Sequence, residues 1–178
     1  MPESPTPRPT GDPGLDRVNA LSSPAFREEF ARCLNVDRWV EALDAERPFA
    51  TREALLAAAD AQASPLTAAE VDAALSRHPR IGEKASGTDT ESRWSRGEQA
   101  AVTAGGEDTE QAFKAANAAY EERFGHIYLV CASGRSPEDL LGDLKARLGN
   151  DPAREKSVVG EEFRKIALLR VEKVLDDA

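Results

Sequence analysis

The sequence predicts an all-α fold: a single compact domain of about eight helices behind a disordered N-terminal tail. Three observations carry that expectation. From Leu15 onward the chain is rich in Ala, Leu, Arg and Glu, residues that lose little side-chain freedom in a helix. Apolar residues recur at three- and four-residue intervals in one segment after another. Helix-start signals stand just ahead of those stripes. At 178 residues the chain is long enough for one domain and a tail. Residues 15–178 are therefore read as the domain, and 1–14, dense in proline and glycine, as the tail.

Taken in order, Ser23-Pro24 supplies a cap with proline at the first helical position, ahead of Phe26 and Phe30. Val36, Trp39, Val40 and Leu43 form the stripe of a second helix, stopped before Pro48. Thr51 opens a third through Leu55 and Leu56. Thr67 and Glu70 have capping-box spacing ahead of Val71, Ala74 and Leu75. That helix ends near His78, because Pro79 disfavours the α conformation before it. Residues 79–93 read as a loop and 95–104 as a helix. After Gly105-Gly106 a longer helix runs from about Glu107 to Arg123. Ser136-Pro137 starts the next, with Glu138 and Asp139 favourably placed in its first turn. Asp151-Pro152 starts the last, whose stripe is Val159, Phe163, Ile166, Leu169 and Val174. Ile127 to Ala132 is strand-like but too isolated to build a sheet.

Composition narrows the function. Lys plus Arg total 23 against 32 Asp plus Glu, a net charge of −9. That balance argues against a nucleic-acid binder or a polybasic membrane-surface protein. Cys33 and Cys131 lie far apart, and His78 and His126 are the only histidines, so neither a disulfide framework nor a zinc cluster is expected. No apolar run approaches the roughly 18 residues of a membrane span, and the N-terminus lacks a secretory pattern. A soluble cytoplasmic globular protein is the expectation, with no metal, nucleic acid or membrane.

Three places depart from a plain helical domain. His78-Pro79 puts an imidazole at a helix C-terminus, where the protonated form is favoured and suits a general acid; local evidence alone favours a simple helix cap. Trp94-Ser95-Arg96-Gly97-Glu98-Gln99 contains a capping box, and the same exposed turn offers N–H groups, a hydroxyl and an amide to an anion. Between Phe124-Gly125 and Ser136, the apolar run Ile127–Ala132 connects two helices where a polar link is expected. Its buried peptide groups need partners, either within the core or from an amide-rich ligand. Cys131 there is better read as a packed thiol than as a nucleophile.

Together and in this order, the three segments resemble the 2-oxo-4-hydroxy-4-carboxy-5-ureidoimidazoline (OHCU) decarboxylases, enzymes of urate degradation that release (S)-allantoin. The family's H-P motif is matched by His78-Pro79. Ser95, Glu98 and Gln99 match its S-x-x-E-Q motif, at the family's seventeen-residue offset from the histidine, and Phe124, Gly125, Cys131 and Ala132 match its F-G…C-A segment. Lys165-Ile166 with Leu169-Arg170 is similar to the closing helix. Gly97 departs from the pattern, which commonly has a larger residue there; glycine loosens a helical first turn.

The resemblance implies a cofactor-independent carboxy-lyase. His78 and Glu98 are the implied catalytic pair, His78 giving the proton and Glu98 favouring its charged form. The implied substrate-binding residues are Pro79 as a rigid wall, Ser95, Arg96, Gly97, Glu98 and Gln99, the stretch Tyr128, Leu129, Val130, Cys131 and Ala132, and Arg170. Arg170 would hold the substrate's charged edge, with Arg135 as its rival. A homodimer is implied as well. Two other readings stand beside this one. A non-catalytic helical module would bind a purine-derived ligand tightly without turnover. A structural adaptor would leave His78, Glu98 and Gln99 dispensable.

Overall fold

The computed structural model describes residues 7–64, 66–76 and 107–176, and among them it is all-α, with eight helices and no strand. These are α1 (Pro13–Ala20), α2 (Ser23–Ala31), α3 (Asp37–Glu46), α4 (Arg52–Gln62), α5 (Ala68–Leu75), α6 (Glu107–Phe124), α7 (Pro137–Arg147) and α8 (Pro152–Asp176). The expected stop near His78, the loop at 79–93 and the helix at 95–104 lie outside the described residues.

Most starts are where the caps place them. Thr51 accepts from the Ala54 N–H and Ser136 from the Asp139 N–H. Thr67 and Glu70 close a reciprocal capping box, with bonds of 3.1 and 3.0 Å. Two starts differ from expectation. The α2 cap is Ser22, not Ser23. α1 was not expected at all: Asp12 caps the Leu15 N–H, Pro13 occupies the first turn, and Thr10 donates twice to Asp16 at 2.8 Å. Helical structure thus reaches into the stretch whose proline content read as tail.

The chain divides into two compact units, Met1–Pro65 with Arg164–Ala178, and Leu66–Phe163. The first gathers α1 to α4 and the latter part of α8 around Leu15, Phe26, Phe30, Trp39, Leu43, Leu55 and Val171, all fully buried. Phe26 and Phe30 stack at 4.1 Å, and the Trp39 indole donates to the Ala59 carbonyl at 2.9 Å. Burying such side chains contributes about 1.5–3 kcal/mol each. Polar groups close what the apolar ones leave open. The Asn19 amide exchanges two bonds, each 2.9 Å, with the peptide of Phe49. Arg47 donates to the carbonyls of Val18 and Leu21 at the end of α1, while its guanidinium lies over the Phe26 ring and pairs with Asp44.

The second unit packs α6 on α7 through Phe113, Tyr120, Leu140 and Leu144, with Tyr128, Val130 and Ala132 of the α6–α7 connection in the same cluster. α5 meets the first part of α8 where Gly160 leaves room for Val71 and Leu66, and Lys156 pairs with Asp72 beside them.

Candidate functional site

The α6–α7 connection is the segment the sequence marked, and its backbone explains how an apolar run crosses between helices. Gly125 (φ +76°) ends α6 with its N–H on the Glu121 carbonyl, and Gly134 (φ +74°) turns the chain toward α7. Both angles lie in the left-handed region that glycine reaches without strain. Between them Tyr128, Leu129, Val130 and Ala132 are buried and Cys131 is half-buried, in neither helix nor strand.

A peptide segment without a ladder needs other partners when buried, and charged side chains supply them. Arg147, the last residue of α7 and buried, donates to the Leu129 carbonyl at 2.8 Å. Its Nε donates to Glu155 of α8 at 2.6 Å, and Glu155 is fully buried. Glu155 also accepts from the Tyr120 hydroxyl (2.7 Å) and the Asn150 amide (3.0 Å). The Tyr128 hydroxyl donates to Asp143, which lies 3.4 Å from Arg147. On the far side of Leu129, the Cys131 N–H donates to the buried Glu162 at 3.4 Å. Arg135 stands 3.8 Å from Asp143 and 4.0 Å from Glu162.

The electrostatics follow from burial. Both tyrosine hydroxyls hold their protons far above the ordinary range, first because burial opposes a phenolate, then because Glu155 or Asp143 sits beside them. Burial works against the Arg147 charge, but its bond to Glu155 outweighs that and keeps the guanidinium charged. The guanidinium also lies 4.6 Å from the Tyr128 ring centre. The arrangement is a rigid polar bed under the connection.

Of the residues expected at the site, the structure brings Tyr128, Leu129, Val130, Cys131 and Ala132 together with Arg135. Arg170 belongs to the other unit, fully buried rather than on a solvated face, and donates to the Arg32 carbonyl at 2.7 Å. His78, Pro79, Ser95, Arg96, Gly97, Glu98 and Gln99 lie outside the described residues. Sequence reading missed Arg147, Glu155, Asp143 and Glu162. A signal existed for three of them. Arg147 continues the Leu140, Leu144 spacing, and Glu155 and Glu162 share the inward spacing of Val159 and Ile166. A charge on an apolar stripe is buried only where a partner meets it, so such positions are candidates for a buried polar network.

The described residues are thus helical, with a buried connection between α6 and α7 held by charged side chains. This chain belongs to the OHCU decarboxylase family: a family model of that description matches residues 19–172. The 2-oxo-4-hydroxy-4-carboxy-5-ureidoimidazoline decarboxylase of Amia calva is 32% identical over 167 residues, covering 90% of this chain and 94% of its own. The uric acid degradation bifunctional protein TTL of Arabidopsis thaliana is 28% identical over 153 residues, 84% of this chain, which spans only 47% of that protein. A crystal structure of OHCU decarboxylase in the presence of (S)-allantoin matches with a TM-score of 0.68 at 28% identity, over 84% of this chain and 99% of that one. A crystal structure of (S)-allantoin synthase shares the fold, with a TM-score of 0.64 at 19% identity, over 90% of this chain and 53% of its own.

Proposed function

We propose that the protein decarboxylates 2-oxo-4-hydroxy-4-carboxy-5-ureidoimidazoline to (S)-allantoin in urate degradation, without metal or organic cofactor. The observation that carries this is family membership over nearly the whole chain, with a relative of that name matched over 94% of its length. In the reaction the bond from the ring carbon to the carboxylate breaks and carbon dioxide leaves. The electron pair stays on the ring carbon, spread into the electron-withdrawing ring, until a proton arrives on one face. Chirality is set by which face receives it.

The residues divide that work. His78 is the proton donor and Glu98 its charge partner, with Pro79, Ser95, Arg96, Gly97 and Gln99 lining the substrate; these assignments come from the sequence motifs. The peptide groups of Tyr128, Leu129, Val130, Cys131 and Ala132 bond the ureido and ring amides, supported by the bed of Arg147 and Glu162 beneath them. The family resemblance assigns Arg170 to the substrate's charged edge, to which a guanidinium is matched in shape. Cys33 and Cys131 are not joined in a disulfide, which suits the reducing cytoplasm, and a homodimer follows the family resemblance, to be read by sedimentation.

The test feeds freshly oxidised urate to the pure protein and follows allantoin by circular dichroism. Faster formation of optically active (S)-allantoin, unchanged by a chelator, is expected; racemic product at the protein-free rate refutes the reading. His78→Asn should lose about 10²–10⁴-fold in turnover while the fold persists. Near-normal turnover would return His78 to a helix cap.

A further inference from the structure

We propose that Arg147, seated on Glu155, is a positioning residue that fixes the Leu129 peptide and so sets the register of the Tyr128–Ala132 segment against the substrate. The inference rests on the reading of that segment as substrate-binding. Its own evidence is geometric. The segment has no ladder to hold it, yet three bonds tie it within four residues: the Leu129 carbonyl to Arg147, the Tyr128 hydroxyl to Asp143 and the Cys131 N–H to Glu162. Arg147 reaches two of the three, directly at Leu129 and at 3.4 Å through Asp143, and also lies against the Tyr128 ring.

Stability alone is a poor reason for this pair. A buried ion pair is commonly replaced by apolar residues at no loss, because desolvation offsets its attraction. Here Glu155 is fully buried, and Tyr120 and Asn150 share its two oxygens, so the carboxylate is held still on all sides. A carboxylate held in that way orients the guanidinium, and the guanidinium orients one peptide carbonyl. An error of about 1 Å in such a group costs binding geometry far more than it costs the fold.

The experiment measures kcat and KM on the same substrate for the wild type, Glu155→Gln and Arg147→Lys, with helix content and thermal stability recorded for each. As a control, Arg47→Lys removes a comparable guanidinium fork elsewhere in the chain. A segment that binds ground and transition state alike should show KM raised about tenfold with kcat within about twofold. Arg47→Lys should lose stability and keep KM. Folded Glu155→Gln or Arg147→Lys protein with wild-type KM overturns the proposal, and so does an equal rise in Arg47→Lys. If neither site variant folds, the half-buried Asn150→Ala is read instead. A KM raised there supports the proposal and an unchanged one overturns it. A wild type without turnover overturns the functional reading and this inference together, whereas an active wild type with indifferent variants overturns this inference alone.

Discussion

Gly14 and Gly142 put one substitution, glycine to alanine, to opposite uses. A Cβ on Gly14 would run into the backbone of Leu175, overlapping its carbonyl oxygen and coming within 2.8 Å of its carbonyl carbon. No flexible side chain is there to yield. Gly14→Ala should therefore cost about 2 kcal/mol or more, as overpacking against a fixed neighbour does. Gly142 lies inside α7 with nothing within 4 Å of the same atom. There the lower backbone entropy of alanine in the unfolded chain should raise stability by about 0.5–1 kcal/mol. Urea unfolding of the two variants checks both signs, and a neutral Gly14→Ala would mean that α1 shifts freely. At this scale the site was half legible. Tyr128 to Ala132 stood out because an apolar run between helices breaks the usual pattern. Arg147 and Glu155 did not, because a charge on an apolar stripe looks like any solvated charge until its buried partners are placed beside it.

Helices were legible wherever a cap preceded an apolar stripe, as at Thr51, Thr67, Ser136 and Asp151. α1 has the same kind of start, Asp12-Pro13, but eight residues hold too few apolar positions to outweigh the prolines before them. Its far end is also finished from outside. The carbonyls of Val18 and Leu21 are met by Arg47, twenty-six or more residues away in sequence, and such a cap leaves no local trace. Arg47→Met should cost about 3 kcal/mol, since it strips those carbonyls and leaves Asp44 with only Ser23 and, at 3.6 Å, Arg27. Burial by itself would raise the Asp44 pKa, but hydrogen bonds from Arg47 and Ser23 hold it below the usual carboxylate value. Wild-type stability should thus fall as pH drops below about 4, through the folded pKa, and Arg47→Met should show a weaker dependence, since only Ser23 and Arg27 remain to hold the carboxylate charged. An acid limb equally steep in both proteins would place the effect on other carboxylates.

The whole chain has two tyrosines, Tyr120 and Tyr128, and both are buried beside carboxylates. Their folded pKa values are raised, so above about pH 10 the native state keeps protons that the unfolded state releases. Stability is then unaffected below that pH and declines above it. Tyrosinate absorbance should rise together with the loss of helical dichroism during alkaline titration. A rise near pH 10 with the helices intact would show the hydroxyls to be open to solvent. The division inside α8 has a consequence for how the chain folds. Leu66–Phe163 is one continuous stretch. The other unit joins residues 1–65 to Arg164–Ala178, which sets Leu15, Phe26 and Trp39 in one unit with Val171, more than a hundred residues along the chain. Closing a loop of that length costs entropy before any contact can form, so this unit should be the slower of the two to assemble.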